Sequence, residues 1–306
     1  MIEINKDDIV NFKKNGFIVK KISISESDFK NYKKNVENLY KKFLILNFPY
    51  KRMYHDYLFS NNWAAIECPL NKEICDYEVW NFFSKINLGS SIKKISNFQN
   101  VYCKLIRLFV MQNFNYSGNW HQDCDELNKR IQVSIYFKDE KGFKIVKPHM
   151  QIQLFKNYFN NDKDFLLNEN LSFPLIFDEM YYNTVDAKAG DIIFFDPYLV
   201  HQGSYNSSRL QFHMRFDGFK EENEIFLNKN QLDFLYYDFY DYDFVLNSED
   251  ISLPKDQRLS LTKRLANTIN YFLPIKNFFR IISVKKKIIK YKNLKFDFFA
   301  NTFWQK

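Results

Sequence analysis

The hydrophobic pattern changes at about residue 100, and this change restricts the fold more than any other feature. Before it, apolar residues recur at helical spacing behind capping signals: Asn5 with Asp8 opens one helix that Gly16 ends, and Ser25 with Asp28 opens another. After it, short runs rich in β-branched and aromatic residues predict strands over 101–109, 131–137, 192–195 and 210–216. Helices followed by several short strands predict an antiparallel β-sandwich or jelly roll with N-terminal helices.

The distribution of glycine and apolar residues agrees with this organisation. Hydrophobic residues make up 46% of the 306-residue chain, enough for one large core. Five of the seven glycines fall between residues 118 and 218, where turns need residues free to adopt positive φ. Lys138 to Gly142 is predicted to be such a turn.

The domain organisation follows from two further changes in pattern. Residues 151–187 are too long for a simple connection and are expected to form a lid-like insertion. After about residue 222 aspartates mix with aromatics, and a helix is predicted to end near Pro274. We therefore expect a jelly-roll core over 1–222 and a C-terminal extension over 223–306, helical and packed on the core.

Charge and cysteine usage limit the choice of partner and compartment. The net charge of +8 is compatible with nucleic acid, a membrane surface or an anionic ligand. A basic run over 280–292 could contact anionic lipid or nucleic acid, but a charged, exposed helix face explains it as well. We expect no nucleic-acid partner. Four cysteines without a CxxC pair, a polar start and a Pro-interrupted apolar stretch at 270–284 predict a cytoplasmic protein without a membrane span.

Three residues have the types and spacing of a metal site. His121 and Asp123 are two apart, so on a strand their side chains would point to the same side. His201 follows a predicted strand. Two imidazoles and one carboxylate on one face of an octahedral ion leave three open positions, as in non-heme iron(II) oxygenases. The His-x-Asp pair alone is weak, because a structural hydrogen bond gives the same spacing.

Four segments, in order along the chain, resemble the phytanoyl-CoA dioxygenase family. They are FKKNGFIVKKIS (12–23), WHQD (120–123), GFKIVKPH (142–149) and AGDIIFFDPYLVHQGSYNSSR (189–209). The resemblance implies a double-stranded β-helix that binds iron(II) through His121, Asp123 and His201 and uses 2-oxoglutarate as co-substrate. It places Arg209 on the far carboxylate of 2-oxoglutarate, with Arg215 as the alternative, and Gln122 near the co-substrate. A guanidinium suits this role because its planar fork bonds a carboxylate bidentately.

Some positions depart from the family pattern. Ser134 stands where many relatives have tryptophan, and Gly203 replaces a serine that in some members contacts the far carboxylate. Asp123 is retained, whereas halogenating relatives have a small residue there, so the resemblance implies a hydroxylase.

The expected reaction is hydroxylation of an unactivated C–H bond of a small molecule or carrier-linked metabolite, with release of succinate and CO2. Two alternatives stay open: a non-catalytic jelly-roll binding protein with a basic C-terminal contact region, and a metal-dependent hydrolase or isomerase with the same triad. His55, His213, His149 and Cys124 are interpreted as structural.

Overall fold

A computed structural model gives the architecture of the chain. It describes residues 1–45, 63–67, 82–83, 85–97, 100–111, 116–117, 120–124, 127–128, 130–163, 166, 175–205, 209–219, 293 and 295–296. The α-helices are α1 (Lys6–Asn15), α2 (Glu26–Ile45), α3 (Leu88–Ser96) and α4 (Gln151–Phe159), and two 3-10 turns cover Pro148–Met150 and Glu179–Tyr181.

The strands are short and mostly antiparallel. They are β1 (Phe17–Lys21), β2 (Trp63–Glu67), β3 (Asn100–Met111), β4 (Tyr116–Ser117), β5 (Arg130–Tyr136), β6 (Glu140–Val146), β7 (Leu175–Ile176), β8 (Tyr182–Ala187), β9 (Asp191–Phe195), β10 (His201–Gln202), β11 (Ser204–Tyr205), β12 (Arg209–Phe219) and β13 (Lys295–Phe296).

A six-stranded sheet in the order β1-β9-β5-β12-β3-β2 is the centre of the fold. A second sheet of three strands has the order β10-β6-β8. The crossovers in both orders mean that strands distant in sequence lie side by side, so the fold is set by tertiary packing rather than by hairpins.

The two faces of the large sheet have different partners. Successive residues of a strand point to opposite faces, and almost all residues of β5 and β9 are buried, so both faces of these strands are covered. One face packs on the N-terminal helices through a large apolar cluster that includes Phe12, Val36 and Phe212. The other face meets the three-stranded sheet, where the Phe195 and Phe143 ring centroids lie 5.0 Å apart. The described fold is therefore mostly antiparallel sheet with few helices.

The N-terminal capping signals are confirmed. Asn5 and Asp8 form a reciprocal capping box on α1, and the Ser25 hydroxyl accepts a hydrogen bond from the Asp28 amide at the start of α2. Gly16 ends α1 at φ 77°, in the left-handed region. A Cβ at this glycine would lie 1.9 Å from Leu199 Cδ1. The Asn-Gly turn therefore needs glycine both for its conformation and for its contact with the chain before His201.

The four strands predicted after residue 100 are confirmed by β3, β5, β9 and β12. The prediction of a turn from Lys138 to Gly142 is wrong in its second half. Residues Glu140 to Gly142 begin β6, and the register with β8 shifts between Glu140 and Phe143. Gly142, at φ 86°, adopts its positive φ in this irregular stretch of strand, and its amide donates to Asp186 Oδ1.

Within 151–187 the structure places α4, β7 and β8, and β8 belongs to the three-stranded sheet. The lid role and the domain boundaries stay predictions. Of the C-terminal extension, only Asn293 and β13 are described: β13 pairs with β7, and Asn293 donates to the Asn157 carbonyl. His55, the aromatic stretch at 231–244, the helix ending near Pro274 and the basic run lie outside the described residues. In the part described, no helix combines the length and apolarity of a membrane span.

Candidate metal centre

Two chain segments bring the two histidines of the candidate site together. His121 and His201 form an isolated antiparallel bridge in which the amide of each donates to the carbonyl of the other at 3.0 Å. His201 begins β10 and is paired on its other side with Ile145 of β6. His201 is thus fixed to the three-stranded sheet, and its backbone holds His121 in turn.

The three sequence-predicted ligands converge. The Nε2 atoms of His121 and His201 each lie 3.6 Å from Asp123 Oδ2, and one ligand atom from each of the three residues lies within 4.8 Å of the others. Strand parity predicts that these side chains point to the same side, but Asp123 lies in a bend and His121 has only the single bridge. The convergence therefore comes from the histidine bridge and from side chains that hold Asp123, not from a regular strand.

The tautomer of His201 suits metal binding. Its Nδ1 lies 2.8 Å from the Leu199 carbonyl oxygen, which can only accept a hydrogen bond. Nδ1 therefore carries the proton, and Nε2 presents a lone pair toward Asp123. Burial, followed by the nearby His121, lowers the pKa of His201. A neutral imidazole is the form that binds metals.

The Asp123 carboxylate is fixed from both sides. Arg215 Nη2 lies 2.6 Å from Oδ1, and Gln132 Nε2 donates to Oδ2 at 2.7 Å. Arg130 Nη1 also donates to the Asp123 backbone carbonyl at 2.6 Å. Burial opposes ionisation of Asp123, but the histidines and Arg215 outweigh it and hold its pKa well below the usual value. The group is a carboxylate near neutral pH, as a cation site requires.

The three side chains of the candidate site differ in their exposure to solvent. The His121 side chain is 40% exposed, whereas those of Asp123 and His201 are 15% and 3% exposed. Trp120, next to His121, is buried in a cluster of aromatic residues from α4 and the segment before β8, with its ring 5.0 Å from that of Phe177. Of the three side chains, His121 is therefore the most accessible to a ligand from solvent.

The arginine and glutamine predicted to contact the co-substrate have protein partners. Arg209 Nε lies 3.0 Å from Glu140 Oε2, and both side chains are buried. Gln122 Nε2 donates to the Tyr198 carbonyl at 2.6 Å, in the loop that leads to His201. Arg215 contacts Asp123, as described above.

A row of polar side chains lies on the inner face of the large sheet, which is the face toward the three-stranded sheet. Arg209, Gln211, His213 and Arg215 alternate along β12 with buried apolar residues. The cross-strand pairs place His213 beside Ser134 of β5, and the His213 Nδ1 lies 3.2 Å from Ser134 Oγ. Among the described residues, both amide atoms of buried Gln211 lack a hydrogen-bond partner. A buried amide without partners is energetically costly.

Sequence reasoning missed Gln132, Glu140 and Asp196 as parts of the site. Gln132 shares strand parity with Ser134 on β5, so the signal for it was present once β5 was paired with β12. Glu140 lies in the predicted turn 138–142, and the turn pattern gives no indication that this residue begins β6. Asp196 stands between a strand and a proline without a recognisable motif, although its Oδ1 accepts from the Tyr198 amide and its Oδ2 from the Asn128 amide.

Comparisons with known proteins give no match in sequence and clear matches in structure. No known family profile matches the chain, and no curated protein matches it. Three solved structures with TM-scores of 0.50 or above illustrate the structural matches. EctD from S. alaskensis with 2-oxoglutarate and 5-hydroxyectoine has a TM-score of 0.52 and 13% identity, over 70% of this chain and 76% of that one.

The other two belong to nogalamycin biosynthesis. The non-heme α-ketoglutarate-dependent carbocyclase SnoK has a TM-score of 0.50 and 12% identity, over 71% of this chain and 85% of that one. The non-heme α-ketoglutarate-dependent epimerase SnoN has a TM-score of 0.50 and 9% identity, over 70% of this chain and 82% of that one. The chain thus shares the fold of non-heme iron enzymes that use 2-oxoglutarate, across more than one reaction type.

Proposed function

We propose that this protein is an iron(II)- and 2-oxoglutarate-dependent oxygenase, similar to the phytanoyl-CoA dioxygenases, built on a double-stranded β-helix. The observation that carries the proposal is the convergence of His121, Asp123 and His201, with ligand atoms within 4.8 Å of one another. The shared fold with enzymes of this cofactor class supports it. Two imidazole nitrogens and one carboxylate leave coordination positions open, which suits a non-heme iron(II) site and differs from the closed four-ligand shell of a structural zinc site.

The residues around the triad fit the co-substrate as well as the metal. 2-Oxoglutarate needs positive charge and hydrogen-bond donors at its carboxylates. In the described structure, the Gln211 amide and Gln132 Oε1 are buried without hydrogen-bond partners, on the same inner face as two arginines. We propose that Arg209 binds the far carboxylate, as the sequence resemblance implies, and that Gln122 holds the loop beside it. Arg215 is better suited to position Asp123, because its guanidinium already contacts that carboxylate.

Each protein group then has a definite task. When bound, iron(II) with 2-oxoglutarate supplies the oxidation of a C–H bond by dioxygen, with release of succinate and CO2. His201 provides a buried nitrogen whose proton is held on the other ring atom by the Leu199 carbonyl. Arg215 and Gln132 orient Asp123, and such supporting contacts commonly contribute 10- to 100-fold, roughly, to metal affinity.

The reaction that we propose is hydroxylation of a small molecule or carrier-linked metabolite in the cytoplasm. Asp123 supports hydroxylation over halogenation, because its carboxylate fills the position that chloride would need. Epimerisation and ring closure are run by SnoN and SnoK, and product analysis distinguishes those outcomes from hydroxylation.

An anaerobic titration tests the proposal without knowledge of the substrate. Iron(II) is added first and 2-oxoglutarate second, and the visible charge-transfer band of the chelate is recorded. We expect the band with the wild-type protein and its loss in His121→Ala, a variant that keeps the backbone bridge to His201 and removes a partly exposed ring. Tight iron binding without a band on adding 2-oxoglutarate would favour the hydrolase or isomerase alternative.

A further inference from the structure

We propose that Glu140 is a specificity-determining residue that occupies the anion position at Arg209, so that a dicarboxylate binds there only by displacing it. This inference rests on the proposed function, because it concerns the arginine assigned to the far carboxylate of 2-oxoglutarate. It adds a regulatory feature of this chain: an internal carboxylate that competes with the co-substrate.

Glu140 already occupies the place of an anion beside Arg209. Its Oε2 lies 3.0 Å from Arg209 Nε, and the two side chains are 5% and 7% exposed. A guanidinium in a buried site can neutralise one carboxylate, and a second carboxylate beside it would be an uncompensated buried charge. Bound 2-oxoglutarate and ionised Glu140 therefore exclude each other at Arg209.

The ion pair between Glu140 and Arg209 has poor hydrogen-bond geometry. Within the described residues neither Glu140 oxygen makes a hydrogen bond of acceptable geometry, although both are buried. Arginine forms its strongest contacts as two parallel N–H to oxygen bonds, which this pair does not achieve. A free dicarboxylate can adopt that geometry, so Glu140 is an occupant that a better-placed carboxylate can displace.

The backbone at Glu140 is an irregular strand end. The residue begins β6, and the pairing of β6 with β8 is irregular between Glu140 and Phe143. A strand end beside an irregular register can shift without breaking the pairs that hold the metal side, such as Ile145 with His201. Glu140 therefore has a way to withdraw while the triad stays in place.

Glu140→Gln tests the proposal, with Glu179→Gln as the matched control. Both changes remove one negative charge by the same substitution, but Glu179 is exposed in the turn before β8. The first probe is glutarate, a dicarboxylate without the keto group, titrated into the metal-free protein by calorimetry. The second is 2-oxoglutarate, followed by the anaerobic iron(II) band. Circular dichroism establishes that each variant is folded.

We expect Glu140→Gln to bind both dicarboxylates about tenfold or more tightly than wild type, since a charge-assisted hydrogen bond contributes on that scale. Glu179→Gln should match wild type. Glu140→Asp, whose shorter carboxylate reaches Arg209 less well, should lie between the two, and it replaces Glu140→Gln if that variant does not fold.

Unchanged or weaker glutarate binding in a folded Glu140 variant overturns the inference. The two proposals fail in different ways. If the Glu140 variants gain glutarate affinity but no protein gives the iron band, competition at Arg209 stands and the oxygenase function falls. If wild type gives the band and the Glu140 variants gain nothing, the function stands and the competition falls.

Discussion

His121 and His201 are joined through their backbones, with reciprocal amide-to-carbonyl hydrogen bonds of 3.0 Å and ring centroids 4.3 Å apart. Strand pairing therefore holds the two imidazoles close to each other. The three side chains are close together only in the folded protein. A metal that binds them should therefore raise the free energy of unfolding.

The first prediction concerns this metal-linked stability. Adding a hundredfold excess of metal over its dissociation constant should raise the free energy of unfolding by about 2.7 kcal/mol. We expect a chelator to reverse the gain. His121→Ala should unfold at the temperature of the metal-free wild type and should not respond to iron(II) or cobalt(II). Differential scanning calorimetry with and without metal measures both. A metal response that survives in His121→Ala would mean that the ion binds elsewhere.

The second prediction concerns the support of Asp123. Gln132→Leu removes the donor that lies 2.7 Å from Asp123 Oδ2 and puts an apolar side chain of similar size in its place on β5. Metal affinity should fall by about 10- to 100-fold, as expected for a lost contact to a ligating carboxylate. Ser134→Ala is the control, because it changes the next inward residue of the same strand and leaves Asp123 untouched. Equal metal affinities in the two variants would contradict this role of Gln132.

The third prediction concerns Gly16, the glycine of the Asn-Gly turn. Alanine there must adopt φ near 77° and place its Cβ against Leu199, whose carbonyl accepts from His201 Nδ1. Strain and overpacking together should destabilise the protein by roughly 2–4 kcal/mol. Lys14→Ala, two residues earlier on the exposed face of α1, is the control. Chemical denaturation measures the difference, and a Gly16→Ala protein as stable as the control would show that Leu199 moves aside without cost.

Much of the fold was predictable because local signals and tertiary structure agree. The capping box at Asn5 is a local pattern, and β5, β9 and β12 have β-branched and aromatic residues that identify strands without reference to the rest of the chain. The three residues of the candidate metal site, His121, Asp123 and His201, were predicted from their residue types and from the family resemblance. Their convergence in space needed only that the two segments meet.

The supporting contacts were not predictable because they depend on strand pairing. Gln132 and Arg215 are directly opposite in the β5–β12 register, and no sequence pattern specifies that pairing. The predicted turn ends at Gly142, but β6 already begins at Glu140, and this places the Glu140 side chain beside Arg209. An ion pair between residues 69 positions apart is invisible to periodicity.

The last prediction concerns Asp196, which binds the loop before His201. Burial raises its pKa from 3.8 to about 6, although the Tyr198 and Asn128 amides donate to it. Between these two values the folded protein holds more protons on this group than the unfolded chain does. The contribution of Asp196 to stability therefore falls as the pH rises through that window, and the cost is fully present above about pH 6.

Asp196→Asn cannot ionise and should lack this dependence. The amide oxygen can still accept from the Tyr198 amide, so the loop keeps one of its two contacts. The difference in unfolding free energy between wild type and variant should shift against wild type by roughly 3 kcal/mol from pH 4 to pH 7, the equivalent of about two pKa units. Urea denaturation of both proteins across that range measures it. Parallel pH profiles would show that Asp196 ionises as easily in the folded protein as in the unfolded chain, and that the Asn128 and Tyr198 amides fully compensate its burial.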